Sequence, residues 1–476
     1  MLFNSLPFAL FFIVVTTLYF LIPHRFRWLL LLASSCYFYM AFIPVYILIL
    51  GFTIVIDYFA GIWLEKTEGT KRKYFLIASL VANIGVLAVF KYYNFLNTNL
   101  SALLNTIGYR NSIPNLSIIL PIGLSFHTFQ AMSYTIEVYR RNQKAEHHFG
   151  IYSLYVMFYP QLVAGPIERP QHLLHQFYEK HYFDYERIVE GLKLMIWGLF
   201  MKIVIADRLA IYVNAVYNNS VQHSGLTLLL ATIFFAFQIY CDFAGYSNMA
   251  IGAAKVMGFN LMANFNRPYI SASISEFWKR WHISLSTWFR DYLYISLGGN
   301  RVSVPRWYFN LFIVFVISGL WHGANWTFII WGALNGFYLV FAILTENWRK
   351  QFNHFIYLDT LPRLHRTLQI MITFGLSCFA WIFFRANSLH DAYSIIFKII
   401  TFSGPVYVGE WHQLVYGLAA IAFLLLVEFR RANLGQSYLP LITNHWLKEQ
   451  LVYIMLIIII LLIGVYDGGQ FIYFQF

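Results

Sequence analysis

Apolar residues recur in long runs along the whole chain, separated by short polar connections. Several runs reach or approach the ~20 residues that an α-helix needs to cross the hydrocarbon core of a bilayer. These runs are residues 1–23, 28–42, 44–63, 74–90, 188–216, 226–256, 311–334, 367–384, 414–427 and 451–465. The first lacks a basic leader and a small-residue cleavage site, so we expect a retained helix. The pattern predicts an all-α, polytopic integral membrane protein with about eleven transmembrane or re-entrant helices.

Two regions depart from a simple span. Residues 120–141 are apolar but interrupted by Pro121, Gly123 and several polar side chains, and residues 151–163 lead into PQLVAGPIERP. A run of 10–14 residues is too short to span and fits a re-entrant or interfacial segment. Irregular backbone at membrane depth is tolerated only inside protein or along a wet cavity, so we expect an internal cavity. Residues 94–117, rich in Asn, are expected to form a looser segment outside the membrane or at its surface.

The run 226–256 mixes small and polar residues, including Tyr240, Asp242 and Gly245. Such a composition is typical of a helix that faces other helices and not lipid. Asp242 has two open interpretations: a structural hydrogen-bonding residue, or a residue that shapes a site.

Residues 273–300 predict an amphipathic helix at the membrane interface. Ser273 and Glu276 have the spacing of a capping box, which opens a helix. At about 100° per residue one face gathers the aromatic and apolar residues, while His282 lies between that face and the opposite one. The inward-facing set is Phe277, Trp281, Leu285, Trp288 and Tyr292.

The run 311–334 carries His322 near its middle. An ionisable side chain at membrane depth is costly, so it usually faces protein or a water-filled cavity, and imidazole is well suited to proton transfer near neutral pH. Gly319 and Gly323 leave room for a helix or a substrate chain to approach the backbone. A buried histidine bonded to a neighbouring carbonyl is the alternative interpretation.

Composition supports the membrane class: 59% of residues are hydrophobic and 11% charged, against about 25% charged in an average soluble domain. We expect one helical membrane domain over residues 1–476. The net charge of +12 does not indicate nucleic acid as a partner, because Lys and Arg lie in short connections. That placement is typical of cytoplasmic loops beside anionic lipid headgroups.

The motifs of other enzyme classes are absent from the sequence, including Walker A, GxSxG, HExxH and Rossmann glycine patterns. The histidines at 147–148 and 172–181 lack the spacing of metal ligands, so we expect no metal and no bound cofactor. His282 and His322 remain, each in an aromatic setting. They favour a site where a histidine acts as general base on a hydroxyl that attacks an activated acyl group.

The chain resembles the membrane-bound O-acyltransferase family over essentially its whole length. The segments that carry the resemblance are RWHISLSTWFRDYLYISLGGNR, SGLWHGANWTFIIWGALNG, YPQLVAGPIERP, QIYCDFAGYSNMAIGAAKVMGFNLMANFNRPY and the terminal FIYFQF. It is most similar to the bacterial branch that serves alginate O-acetylation, with relatives for peptidoglycan and for teichoic acid D-alanylation.

This resemblance implies helices around a central funnel or tunnel, with His322 as the catalytic residue and His282 as a second catalytic residue. We expect substrate contacts from Asp242, Tyr240, Asn325 and Trp321. The resemblance also implies acetyl-CoA as the acyl donor, an extracytoplasmic SGNH-type acetyltransferase as partner and a polysaccharide acceptor. The expected location is the bacterial inner membrane.

Two rival functions stay open at this point. A polysaccharide or proton-coupled transporter would also have buried polar residues and broken helices, although such proteins often show twinned repeats and none is visible. A structural scaffold for polysaccharide secretion would tolerate the replacement of His322.

Overall fold

A computed structural model describes residues 1–117, 120–163, 165–402, 404–433 and 446–466. Within these ranges the chain is helical and has no β-strand, which confirms the predicted all-α class. The terminal FIYFQF, which carries part of the family resemblance, lies outside the described residues.

The first eleven α-helices cover the chain up to residue 217. They are α1 (Leu6–Leu21), α2 (His24–Met40), α3 (Ile47–Lys66), α4 (Thr70–Leu87), α5 (Tyr93–Thr106), α6 (Leu124–Tyr139), α7 (Phe149–Met157), α8 (Tyr159–Leu162), α9 (Pro170–Leu173), α10 (Tyr185–Leu199) and α11 (Asp207–Tyr217).

The later helices include the long spans and the segments that carry the candidate site. They are α12 (Gly225–Met257), α13 (Ile274–Arg280), α14 (Ile283–Trp288), α15 (Val304–His322), α16 (Trp326–Leu344), α17 (Glu346–Phe355), α18 (Pro362–Arg385), α19 (Leu389–Thr401), α20 (Trp411–Asn433) and α21 (Trp446–Ile463). Three π-helical segments interrupt this series, at Ala88–Tyr92, Phe200–Ala206 and Phe289–Tyr294.

Seven helical stretches among the described residues are long and apolar enough to cross a membrane. They are Pro44–Lys66, Thr70–Thr106, Gly225–Met257, Val304–His322, Trp326–Leu344, Pro362–Arg385 and Trp411–Arg431. The protein is therefore a multi-pass membrane protein. The predicted total of about eleven also included shorter and re-entrant segments, and this count is not confirmed.

The expectation of a looser segment after residue 94 is wrong for its first half. Helix α5 continues to Thr106, and Thr70–Thr106 forms one apolar stretch. Two asparagines of this helix bond the segment that follows it. Asn94 Nδ2 donates to the carbonyl of Leu116 at 2.8 Å and Asn97 Nδ2 to that of Ile113 at 3.0 Å. Their amides therefore hold the following segment along the helix.

The described residues cluster into two compact units: Met1–Met195 with Ser247–Met262, and Ile196–Tyr246 with Ala263–Phe476. In the first unit a buried carboxylate joins three helices. Asp57 on α3 accepts hydrogen bonds from Ser79 Oγ at 2.6 Å and Asn83 Nδ2 at 2.9 Å, both on α4. Ser79 Oγ also lies 3.0 Å from the hydroxyl of Thr135 on α6. The prediction of one domain over 1–476 stays a prediction.

The second unit has an aromatic centre. Trp281, Trp331 and Trp381 are each at most 2% exposed. The rings of Trp331 and Trp381 stack with centroids 5.7 Å apart, and that of Trp281 lies 5.0 Å from Trp381. In the most apolar stretch of 18 residues of helix α12, 78% of the residues are buried, against at most 44% in the other candidate spans. This burial confirms the prediction that α12 faces protein.

Candidate active site

His322 lies at a joint between two spans. It is the last residue of α15, and α16 begins four residues later at Trp326. The sequence expectation of one span with His322 near its middle is therefore wrong. Asn325 causes the restart, because its Oδ1 accepts the backbone N–H of Thr327 at 3.1 Å as the N-cap of α16. Asn is among the preferred residues at this position.

Glycines let α15 and α16 pack backbone against backbone. A Cβ atom at Gly319 would lie 2.3 Å from the carbonyl oxygen of Phe328 and 3.1 Å from the Cα of Gly332. A Cβ atom at Gly323 would lie 2.2 Å from the ring of Phe328. The predicted close approach at these glycines is thus made by α16 of the same chain, and it fixes the end of α15 that carries His322.

Aromatic rings surround the imidazole of His322, which is 4% exposed. Its ring centroid lies 4.9 Å from Trp321 and 4.9 Å from Trp331, with the latter ring nearly perpendicular at 85°. Phe384 lies on a further side at 5.4 Å. Such a wall excludes bulk water and restricts the orientation of the imidazole, two conditions that favour controlled proton transfer.

His282 lies at a second joint, between α13 and α14. It has φ 43° and ψ 55°, a left-handed conformation that non-glycine residues rarely adopt. The continuous helix predicted over this region is therefore wrong, since Trp281 and His282 break it. Asn264 fixes the turn: its carbonyl accepts the N–H of Ile283 at 2.8 Å, and its Oδ1 accepts the hydroxyl of Ser284 at 2.6 Å. Strained residues of this kind concentrate at functional sites.

Two other predictions for this region are confirmed. Ser273 Oγ accepts the N–H of Glu276 at 3.1 Å, so it caps α13 as the capping-box spacing indicated. The predicted inward face is buried at every position, with exposures between 1% and 8%. Its members are Phe277, Trp281, Leu285, Trp288 and Tyr292.

His282 is 1% exposed, and burial lowers its pKa to about 3. Its imidazole is therefore neutral over the whole physiological pH range. The ring meets Phe243 edge-on at 4.6 Å and lies 6.3 Å from Trp321. Trp321 consequently adjoins both histidines, and the two imidazoles belong to one aromatic enclosure in the second unit.

Tyr240 and Asp242 lie on α12, next to this enclosure along the helix. The Tyr240 ring is 6.0 Å from Trp281, and its hydroxyl donates to Glu428 Oε1 at 2.5 Å. Asp242 Oδ1 pairs with Lys202 Nζ at 2.6 Å. Both side chains thus have polar partners within the protein. The substrate-binding roles of Tyr240, Asp242, Asn325 and Trp321 stay predictions.

In the second unit, sequence reasoning missed three buried charged residues: Lys202, Asp207 and Glu428, which are 1%, 5% and 3% exposed. A usable signal existed, because each lies in an apolar run where an ionisable side chain indicates function or pairing. In the described part of the chain, no group of three His, Cys, Asp or Glu residues could hold a metal ion. The two imidazoles of the site offer proton transfer, and the aromatic rings around them offer positioning.

Comparison with known proteins shows which family the chain is similar to. The sequence model of the membrane-bound O-acyltransferase family matches residues 125–383, a range that contains both histidines. The chain is 38% identical over 440 residues to a probable alginate O-acetylase AlgI of Pseudomonas aeruginosa, which covers 90% of this chain and 81% of that protein. It is 35% identical over 404 residues to a peptidoglycan O-acetyltransferase of Helicobacter pylori, covering 79% and 74%.

A more distant relative is a teichoic acid D-alanyltransferase of Bacillus subtilis, 28% identical over 290 residues, covering 56% of this chain and 69% of that protein. All three relatives are acyl-transfer proteins by name, and two of them match most of the chain. The chain therefore belongs to the membrane-bound O-acyltransferase family and is an acyltransferase.

Proposed function

We propose that this protein takes an acetyl group from a cytoplasmic donor, acetyl-CoA, and passes it across the bacterial inner membrane for O-acetylation of an exported polysaccharide of the alginate type. His322 is the general base and His282 a second catalytic residue. An SGNH-type acetyltransferase outside the membrane completes the transfer to the sugar.

The observation that carries this proposal is the pair of imidazoles at two helix joints within one aromatic enclosure. His322 and His282 are both nearly inaccessible to solvent, and the ring of Trp321 adjoins both. A buried base beside a second neutral imidazole suits an acyl transfer from which water must be excluded, because water would hydrolyse the activated acyl group.

The chemistry needs one proton carrier and no change in overall charge. A ring nitrogen of His322 accepts the proton of an acceptor hydroxyl while the oxygen of that hydroxyl attacks the carbonyl carbon of the thioester. The C–O bond forms, the C–S bond breaks, and the leaving thiolate takes a proton from the imidazolium. General base catalysis contributes typically 10²–10⁴-fold, and holding both reactants in line supplies much of the remainder.

Direction and donor follow from charge. The basic connections of the sequence are expected on the cytoplasmic face of the membrane. Acyl-CoA is present on that face, whereas the polysaccharide lies outside the membrane. The alginate assignment is supported by the 38% identity to the Pseudomonas aeruginosa protein. Peptidoglycan is the second candidate acceptor because of the Helicobacter pylori relative. Teichoic acid D-alanylation ranks below both, since that relative matches little more than half of the chain.

The decisive experiment replaces His322 by Ala and by Gln in a strain that lacks the wild-type gene. Both variants should reach the membrane in normal amounts and abolish acetylation of the exported polymer. The matched control is His354→Ala on α17, whose side chain is 84% exposed and should be dispensable. Normal acetyl content with either His322 variant would refute the assignment of the base, and it is also the outcome that a scaffold predicts. Measuring acetyl content on each surface polymer identifies the acceptor.

A second experiment separates acyl transfer from transport. Sealed vesicles containing the protein and its partner receive radiolabelled acetyl-CoA on one face only. Label should reach the partner when the donor is on the cytoplasmic face. Label that arrives only from the outward face overturns the direction, and movement of intact polysaccharide without transfer of label favours a transporter.

A further inference from the structure

Three buried charged side chains meet in the second unit. Lys202 Nζ lies 2.8 Å from Asp207 Oδ1 and 2.6 Å from Asp242 Oδ1. The three side chains are between 1% and 5% exposed. We call Lys202, Asp207 and Asp242 the charged triad. Two carboxylates therefore share one ammonium group.

The triad lies deep within its helices. Asp242 is near the middle of α12, whose 33 residues form the most buried of the candidate spans. Lys202 belongs to the π-helical segment Phe200–Ala206 and Asp207 begins α11. π-helical segments inside α-helices are frequent at functional sites. A Cβ atom at Gly245 would lie 3.1 Å from the backbone nitrogen of Lys202, so the π-helical segment packs tightly against α12 beside the triad.

The charges of the triad do not balance. With both acids ionised, the group carries one more negative than positive charge, and an uncompensated charge in a protein interior is costly. Asp207 Oδ2 is buried and has no hydrogen-bond partner among the described residues. A single proton on one of the two carboxyl groups removes the excess charge, as in other pairs of carboxylates that share a site.

We infer that the charged triad is a proton-binding site whose two carboxyl groups hold one exchangeable proton at membrane depth. Lys202 holds both acids in place and keeps its own charge. Two further titratable groups on α12 act on the triad: Tyr246, whose ring centroid lies 5.5 Å from Lys202 Nζ, and Cys241. Neither supplies a positive charge, and a proton is the smallest ligand that neutralises one of the two carboxylates.

The role of this proton rests on the proposed function and follows from the bonds that the reaction breaks and forms. The acceptor O–H bond breaks on the outward side and an S–H bond forms on the cytoplasmic side, so each turnover moves one proton towards the donor. His322 takes this proton first. When the thiolate leaves, the triad gives up its own proton and takes the one on the imidazolium, so it adds a second proton carrier to the one that the chemistry requires. The next residue after Asp242, Phe243, contacts the His282 ring at 4.6 Å, so α12 links the triad to the catalytic enclosure.

The test compares infrared spectra of the purified full-length wild type and Asp207→Asn near neutral pH. The difference spectrum isolates this site from Asp57 and Glu428, which are present in both proteins. We expect the wild type to show the carbonyl band of a protonated carboxylic acid that shifts in heavy water, and Asp207→Asn to lack it. Absence of that band from the wild type overturns the inference. A thermal midpoint that depends on the sodium or potassium concentration also overturns it, because the triad would then bind a metal cation and not a proton.

Stability and turnover distinguish a proton site from a permanent ion network. In Asp207→Asn the remaining Lys202–Asp242 pair is balanced, so its thermal midpoint should equal or exceed that of wild type, whereas a purely structural network predicts a clear fall. Glu190→Gln is the matched control, because the Lys255–Glu190 pair has the same 2.6 Å separation but is half-exposed. Turnover of Asp207→Asn should drop ~10-fold or more with an altered pH profile and an unchanged KM for the donor, and Asp207→Glu should restore it.

These readouts fail independently of the proposed function. The infrared band and the thermal midpoint need only the purified protein. A missing band therefore refutes the proton site alone. Normal acetyl content with the His322 variants, by contrast, would refute the catalytic assignment and leave the infrared band unaffected.

Discussion

Replacing Gly319 by alanine tests whether the α15–α16 contact sets the position of His322, the proposed general base. The added Cβ would lie 2.3 Å from the carbonyl oxygen of Phe328 and 3.1 Å from the Cα of Gly332. Close carbon–oxygen contacts in proteins are about 3.3–3.6 Å, so the two helix backbones must separate by roughly 1 Å. Both nearby atoms are backbone, and no side-chain rotation relieves the clash.

The displacement reaches the site directly. His322 lies three residues beyond Gly319 on the same helix, and its ring packs 4.9 Å from Trp331 on the facing helix. A misplacement of about 1 Å near reacting groups can lower the rate by about 10²-fold. We therefore expect Gly319→Ala to reduce acetyl transfer by about 10- to 100-fold while the protein still inserts into the membrane.

The assay is the acetyl content of the exported polymer in a complemented deletion strain, normalised to the amount of protein in the membrane. Gly332→Ala should behave alike, because its Cβ would lie 2.3 Å from the carbonyl oxygen of Phe315. Gly375→Ala on α18 is the control: nothing lies within 4 Å of its Cβ position, so activity should be unchanged and stability should rise by up to about 1 kcal/mol. Wild-type activity of Gly319→Ala at equal membrane level would refute the reasoning.

Two further predictions concern His282 and Asn325. Between the unfolded pKa of 6.5 and the folded value of about 3, the unfolded chain binds a proton at His282 that the folded protein does not. Wild-type stability should therefore fall with decreasing pH by about 1.4 kcal/mol per unit from this site, and His282→Gln should show a smaller loss of thermal midpoint between pH 7 and 5. An identical loss in both proteins contradicts the burial argument. Asn325→Ala should cost about 1 kcal/mol as a lost N-cap, measured by thermal unfolding. Asn325→Ser should keep both the cap and the activity, and a stable but inactive Ser variant would show a substrate contact instead.

The sequence pattern was sufficient for features that depend on local composition. Long apolar runs predicted the membrane helices, and a period near 3.6 predicted the buried face of the segment after Ser273. The catalytic roles of His322 and His282, which the family motifs imply, stay predictions. The predictions of the helices and of the buried face succeed because hydrophobicity, helical period and capping each depend on residues within about one or two turns of each other.

The breaks in the helices were harder to predict, and for two different reasons. At Trp281 and His282 no glycine, proline or asparagine marks the change of direction, and the aromatic period continues across it. At residues 323–325 the signal was present, since Gly323 and Asn325 form a helix end and an N-cap. There the apolar character of the run 311–334 concealed it. Tertiary contacts decide both breaks: Asn264 anchors the first, and the packing of α15 on α16 requires the second.

Contacts between residues that are distant in the sequence could not be predicted from the sequence pattern. Lys202 and Asp242 are forty residues apart, and Tyr240 bonds Glu428 across 188 positions. A single sequence shows that each of these residues is polar within an apolar run, but nothing in it pairs them. This is why Asp242 had two open interpretations, and why its ion pair with Lys202 became visible only in the folded chain.

The two histidines share a local cause for their positions. Each lies where one helix ends and the next begins, so each is next to backbone that the helical hydrogen-bond pattern does not satisfy. Irregular backbone is stable at membrane depth only within protein or beside water, and at both joints Asn side chains and tryptophan rings provide that protein surrounding. An uninterrupted helix would place an imidazole on a surface shared with ordinary packing residues. A joint instead frees it from the helical register, so that rings from α12, α15, α16 and α18 can enclose it on several sides. The helix breaks, which the hydrophobic pattern did not reveal, are therefore what allows two distant segments to build one aromatic enclosure around both histidines.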